Sequence, residues 1–437
     1  MNKTFASVAL TSALLAVSAI AAEQTSSPVF SKDVAPILYR HCATCHRPGD
    51  IAPMPLLTYE QVRPWAKSIR EKVSLGQMPP WHATQPRGTF LNDRRLTDAE
   101  KDTLIRWAKD GAPQGDPKDL PPTPTFTEGW EIGAPDVILS MAKSYEVPPS
   151  GTINYQYFTV PTNFNEDKWV QAIEVRPGTR SVVHHVLVFL REPGAQPRQN
   201  AFVQVTPPIK AEALRPHDPN ESQSGDRSKS LTLAATTAPG TNAMTFRPGT
   251  AIRIKAGAVL VFQIHYTANG KVASDTTSVG MIFAKEPPRQ EIRNSAFINP
   301  SFILPAGDSN KAVDSAIQFT EDSHIWALFP HTHLRGKSWD YRLVYPDGRT
   351  ETVLAVPKYD FNWQTYYLFA TPLAVPKGSR LEATAHYDNS AANAWNPDPK
   401  VDVRWGEQTW QEMQYSGITY TVDAAPSPAA TARNGQQ

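Results

Sequence analysis

The chain has 437 residues, 40% of them hydrophobic and 10% aromatic, with a formal net charge of +1 at pH 7. That length suggests two to four domains with ordinary apolar cores, and the near-zero charge points to neither a nucleic acid nor an anionic membrane as partner. Met1-Asn2-Lys3, an apolar run through Val17 and the small-residue pattern Ala19-Ile20-Ala21 read as a secretory signal peptide over residues 1–22. The run is too short to cross a bilayer, and no later apolar stretch is long enough. No cysteine follows the cleavage pattern directly, so a lipid anchor is not expected. The expected product is periplasmic or otherwise exported, and soluble, with no stable membrane insertion.

Residues 23–115 read as a small all-α domain. Ser31 is placed to cap a helix with Val34, Ile37 and Leu38 on its apolar face. A second helical pattern carries Trp65, Ala66, Ile69 and Val73, with Pro64 in its first turn and Gly76 at its end. Thr97-Asp98-Ala99-Glu100 is a capping box opening a third helix with Leu104, Ile105, Trp107 and Ala108, which Gly111 closes.

Both cysteines of the chain lie in Cys42-Ala43-Thr44-Cys45-His46. Two thiols followed at once by a histidine form the attachment pattern of a c-type haem, with Cys42 and Cys45 as thioethers and His46 as iron ligand. No disulfide then remains. Three helices around this motif resemble a small class I cytochrome c, which needs a sixth ligand, usually a methionine sulfur. Met78, in Gly76-Gln77-Met78-Pro79-Pro80-Trp81, lies far enough along to fold over the opposite haem face. Met54 follows His46 so closely that it belongs on the same side as that ligand. His41 and His82 read as neighbours of solvent or of the haem propionates.

Residues 116–134 are a proline-rich linker, read as a stiff, extended spacer. Beyond it, short alternating runs joined by turns indicate strands, in keeping with 40 prolines and few long helical patterns. Two consecutive strand-rich blocks, 135–290 and 291–423, suggest two all-β sandwiches. The poorly patterned stretch 207–248 reads as a surface insertion, and 424–437 as a disordered tail.

Each block holds histidines. His184 and His185 are adjacent in a very apolar run, and His265 lies on another strand. Adjacent residues on a regular strand face opposite ways, so His184 and His185 serve one metal only at a twist, a bulge or a strand end. Three neutral imidazoles suit copper, zinc or iron. In the second block, Pro330-His331-Thr332-His333-Leu334-Arg335-Gly336 sets His331 and His333 two residues apart, on one face of a strand. Candidates for a further ligand there are His324, His386 and Met413. A thioether would favour copper, because soft sulfur stabilises copper(I).

The order His-His, His-Tyr, His-Thr-His, Glu-Met over about 135–422 resembles the copper type II, ascorbate-dependent monooxygenases, the peptidylglycine α-hydroxylating and dopamine β-monooxygenase group. The resemblance implies two jelly-roll sandwiches carrying one copper each. His184, His185 and His265 would hold the electron-supplying copper, with Gln263 near it; His331, His333 and Met413 would hold the copper that binds dioxygen. His-Thr-His-Leu-x-Gly is more similar to the dopamine branch. The departures are specific. Phe329 stands where the peptide branch has an arginine, and Tyr415 and Gly417 where it has asparagine and tyrosine. The disulfides of animal members are absent, and the amino-terminal cytochrome has no counterpart in them. The implied activity is hydroxylation of a C–H bond of a small organic substrate by dioxygen. One covalent haem and two coppers would be its cofactors, with electrons from a periplasmic donor passing through the cytochrome. The competing reading is a non-catalytic carrier of electrons or copper.

Overall fold

The computed structural model describes residues 27–48, 52–126, 129–194, 202–204, 231–238 and 243–423. The leader read over 1–22 and the tail 424–437 lie outside them. The described chain is predominantly β-sheet with few helices. Among the described residues no helix is long and apolar enough to cross a membrane.

The helices cluster near the amino terminus. A wide turn, Phe30–Val34, runs into the α-helix Ala35–His41, which ends at Cys42. Ser31 does not cap it. The turn begins one residue earlier than Phe30, where the Val29 N–H is taken by Asp33 Oδ2 at 2.8 Å, and the Ser31 hydroxyl donates to the Gln114 carbonyl. Pro64 lies in a 3₁₀ turn, Arg63–Trp65, that joins Tyr59–Val62 to Ala66–Ser74, so the second helix starts earlier than expected and bends at the proline. Thr97 and Glu100 form both bonds of the expected capping box on Asp98–Lys109. Phe30, Leu38, Ile69, Leu104 and Trp107 make a shared core for these helices.

Not all of 23–115 stays with that core. Residues 81–92 cross to the second sandwich, where Trp81 and Phe90 join its apolar centre. Thr84 N–H donates to Ala355 O at 3.0 Å and Leu91 N–H to Leu368 O at 2.8 Å. The reason is aromatic packing: Trp81 meets Tyr367 at 5.2 Å and Phe90 meets Phe369 at 5.1 Å between ring centroids.

The segment read as a linker opens with a 3₁₀ turn, Pro117–Asp119, and is tied down further along. Arg47, next to His46, pairs with Glu131 at 3.3 Å and lies over the Phe126 ring. Trp130 covers Gly280, where a Cβ would stand 2.7 Å from the indole, so this strand position needs glycine.

The first sandwich packs two sheets over Val170, Ile173, Val186, Val188, Phe262 and Ile264. One sheet runs Val137–Ser140, Ser278–Phe283, Lys168–Arg176, Thr250–Ile254 and Gln290–Glu291, with Ala243–Thr245 also on Lys168–Arg176. The other runs Gln156–Pro161, Val259–Tyr266, Val183–Arg191 and Leu231–Thr237. Of the stretch 207–248, read as a surface insertion, 207–230 and 239–242 lie outside the described residues, and the last strand corrects the reading for 231–237. Ala234, Ala235, Thr236 and Thr237 are buried there, and small Ala and Thr side chains conceal the alternation that marks a strand.

The second sandwich pairs Arg293–Ile298, Tyr415–Val422, Ser323–His331 and Tyr367–Val375 in one sheet. Its other sheet holds Thr350–Val356, Gly336–Val344, Arg380–Tyr387, Lys311–Phe319 and Phe202–Gln204. Phe202–Gln204 belongs by sequence to 135–290 but pairs with Lys311–Phe319, so the two blocks exchange a strand.

The two four-stranded sheets meet back to back. Leu187, Phe189 and Leu233 of the first pack against Ala327, Phe329 and Tyr366 of the second. Strand alternation puts His185 in the row of Leu187 and Phe189, and His331 in the row of Ala327 and Phe329. The seam between the sandwiches thus ends in histidines from both sides.

Candidate metal centres

His265 pairs across the sheet with His185, and Tyr266 pairs with Val183, so His184 is the extra residue of a β-bulge. The bulge turns His184 and His185 to one side. Among the described residues, His184, His185 and His265 offer ligand atoms that all lie within 4.8 Å of one another. His184 Nδ1 and His185 Nδ1 are 3.1 Å apart, and the buried Nδ1 of His265 has no hydrogen-bond partner. A buried lone pair left without a proton to accept is costly unless a cation takes it. Burial is the main cause that pushes His184 down to about 4 and His265 to about 3, and it holds His185 well below the usual histidine range. All three rings are neutral near pH 7, as ligation requires. This donor set fits copper, zinc or iron, as read from the residues.

Gln263 lies two residues before His265 and shares its face. Its amide donates to Tyr157 Oη at 2.7 Å, and Tyr157 donates to Glu407 Oε2 of the second sandwich at 2.6 Å. Tyr155 stands edge-on to His185, and its hydroxyl accepts a hydrogen bond from Thr409.

In the second sandwich the strand Ser323–His331 ends at His331, and His333 stands just beyond it. Their ring centroids are 5.2 Å apart. His333 Nδ1 is 3.1 Å from the Gln411 carbonyl, which can only accept, so that nitrogen carries the proton and Nε2 keeps its lone pair. Burial pushes His331 down to about 4 and His333 to about 3. Thr332 between them is clamped by Tyr359, whose hydroxyl donates to its carbonyl at 2.9 Å. Gly336 closes the loop. A Cβ there would overlap Thr332 Oγ1 and lie 2.7 Å from Thr332 Cβ.

The backbone of Met413 lies close to this site through Glu412, two residues before Tyr415, which pairs with His331. The Glu412 carboxylate accepts N–H groups from His333 at 2.8 Å, Arg335 at 2.6 Å and Met413 at 3.3 Å. Burial pushes Glu412 up to about 7, against those bonds and the Arg335 charge. Arg335 is itself buried, held by Asn389 Oδ1 and the Trp410 carbonyl. Of the other candidates, His324 pairs with Asp423 at the far end of the strand, and His386 lies in the other sheet, opposite Ala312 and Ser338.

Residues that sequence reasoning did not single out join the two histidine sets. Phe361 stacks on His184 at 5.4 Å and meets His333 edge-on at 6.0 Å. The Gln364 amide lies 3.5 Å from His185 Nδ1 and also reaches His331. Phe361-Asn362-Trp363-Gln364 has neither helical nor strand periodicity, so nothing in its pattern marks it.

A cavity of about 1240 Å³ opens over the Cys-x-x-Cys-His motif. Cys42, Cys45, His46, Met54 and Met78 line it, and its far wall includes His184. Its size and largely apolar wall suit a large planar group. Cys42 and Cys45 are not bridged, and burial pushes the Cys42 thiol up to about 12. His46 Nδ1 is 3.1 Å from the Met54 carbonyl, so Nδ1 is protonated and Nε2 is left to ligate. Burial is the main cause that lowers the His46 pKa. These residues fit a covalent haem. Met54 lies on the His46 side, and Met78 lines the same cavity from its own loop. Of the two outlying histidines, His41 bonds Glu100 at 3.1 Å and His82 is lowered by burial beside Asp360.

No family model and no curated protein matches the chain. Among solved structures it is similar to the major capsid protein P2 from bacteriophage PM2, at 9% identity over 67% of this chain and 98% of that one, with a TM-score of 0.29. A similarity to allantoicase from Saccharomyces cerevisiae has 6% identity over 64% of this chain and 80% of that one, with a TM-score of 0.18. One to infectious bursal disease virus, Gt strain, has 9% identity over 67% and 72%, with a TM-score of 0.20. Likenesses this weak carry no argument about function.

Proposed function

We propose that this chain is an exported, periplasmic monooxygenase containing haem and copper, related to the copper type II ascorbate-dependent monooxygenases. In this reading the helical segment is a cytochrome c-like unit, and the two sandwiches are jelly rolls that carry copper. The reaction converts a C–H bond of a small organic substrate and dioxygen into C–OH and water. It consumes two electrons and two protons, and the electrons come from a periplasmic donor through the haem.

The observation that carries this reading is the convergence of two separate histidine sets on one seam. His184, His185 and His265 approach it from one sandwich, and His331 and His333 from the other, with Phe361 and Gln364 between them. Bound copper supplies one-electron redox chemistry and dioxygen activation, and haem supplies one-electron storage.

The chain's own residues do the rest. Buried surroundings keep the five imidazoles neutral. The Gln411 carbonyl fixes the His333 tautomer, and Glu412 fixes the loops that bear His333 and Met413. The seam's aromatic side chains exclude water where a C–H bond would react. The donor difference favours an enzyme over a simple carrier, which has little need for a thioether site beside a three-histidine site.

The test is composition. Protein produced in a periplasm with haem and copper supplied is expected to hold one haem that survives denaturant and two coppers per chain. His184→Ala is expected to lose one copper and His331→Ala the other; extractable haem, or loss of both coppers with either substitution, contradicts the reading.

A further inference from the structure

The loop of residues 360–366 has two sides. Asn362, Trp363 and Tyr366 line the cavity over the Cys-x-x-Cys-His motif. Phe361 and Gln364 point the other way, onto His184, His333 and His185. The loop is stiff. Asp360 Oδ1 accepts from the Asn362 N–H and amide, the Asp360 carbonyl accepts from the Trp363 N–H, and Phe361, Gln364, Thr365 and Tyr366 are buried. It belongs to the second sandwich, yet it lies where the cavity over the motif meets the three-histidine set of the first, whose His184 lines that cavity beside Trp363.

We propose that this loop is the electron bridge of the molecule, with Trp363 facing the haem and Phe361 facing the three-histidine copper. The inference rests on the function proposed above. With haem and copper bound, one electron would pass from ferrous haem to copper(II) held by His184, His185 and His265, leaving ferric haem and copper(I). No bond forms or breaks and no proton moves. The aromatic pair shortens the gap with polarisable groups, and the Phe361–His184 stack delivers directly onto a ligand ring. Because both sites and the loop belong to one chain, the transfer is intramolecular and needs no docking between molecules. Trp363 and Phe361 act as positioning residues: they touch the two redox groups' surroundings and hold no metal.

The experiment is anaerobic, so hydroxylation plays no part. Protein loaded with haem and copper(II) is mixed with a stoichiometric reductant for the haem, and reoxidation of the haem is followed by its visible bands. The copper(II) electron paramagnetic resonance signal is recorded alongside. Haem and copper contents are measured first; their absence defeats the proposed function and is read separately from the bridge. With both present, reoxidation in the unaltered protein is expected at a rate independent of protein concentration. Trp363→Leu and Phe361→Leu are each expected to slow it about tenfold or more, because transfer depends steeply on the placement of the intervening groups. Haem and copper contents should stay unchanged. Trp363 is only half-buried, so its variant keeps the test available if Phe361→Leu unfolds. A rate proportional to protein concentration, or rates within about twofold of the unaltered protein in both folded variants, overturns the bridge.

Discussion

The Glu412 carboxylate receives the His333 backbone N–H at 2.8 Å from a fully buried position. Its other oxygen takes the Arg335 N–H at 2.6 Å, so a single side chain locks both ends of the His333-Leu334-Arg335 turn. Replacing it by alanine strands two buried donors, at a cost of about 2 kcal/mol or more. Glu412→Ala is expected to lower the unfolding midpoint and to release the metal held by His331, His333 and Met413. The three-histidine set should keep its metal. Copper counted by mass spectrometry before and after the substitution checks this; loss from both sets, or from neither, contradicts it.

Met54 meets His46, the proposed haem ligand, through a backbone atom. Its carbonyl, not its sulfur, meets His46 Nδ1 at 3.1 Å, and Met54→Ala keeps that carbonyl. Met54→Ala is therefore expected to leave the haem spectrum and potential nearly unchanged. Met78→Ala is expected to lower the potential and to open the iron to added imidazole. Redox titration and imidazole binding read both variants, and the reverse pattern would assign the sixth position to Met54.

Glu100 ties the third helix to the haem motif. It caps Thr97 and accepts from His41 at 3.1 Å and Arg40 at 3.0 Å. Burial raises its carboxyl pKa, but the Thr97 bonds and His41 outweigh burial, so the value lies below the usual 4.5. A carboxylate whose folded pKa is depressed contributes stability that is present above its unfolded pKa. That stability is lost as pH falls through the lower folded value. Gln keeps a capping-box side chain, so Glu100→Gln removes only the charge facing Arg40 and His41 and is expected to cost about 0.5 kcal/mol near pH 7. The unfolding curves of the two proteins should converge in acid; a constant gap down to pH 2 would mean the charge is not responsible.

The histidines were legible because metal chemistry restricts residue types. The helix caps were legible because Thr97 and Glu100 act within one turn. Strand alternation also indicated that two adjacent histidines need a twist, a bulge or a strand end, and His184 occupies a bulge. What the sequence concealed depends on partners distant along the chain. Trp81 and Phe90 read as part of the helical unit, and only Tyr367 and Phe369, nearly three hundred residues later, draw them away. Leu231–Thr237 is a strand of small residues whose burial comes from both neighbouring layers, so its hydrophobicity is low where its burial is high. Phe361 and Gln364 gain their meaning only when the two sandwiches close on each other.

The most direct measurement follows the reduced haem after admission of dioxygen. In the copper-loaded protein, the haem bands are expected to change to the oxidised form, and faster once a substrate is present. In protein stripped of copper, or in the His331→Ala variant, the haem is expected to stay reduced far longer. Equal rates with and without copper, or a haem that stays reduced in air with both coppers bound, would contradict a haem- and copper-containing monooxygenase.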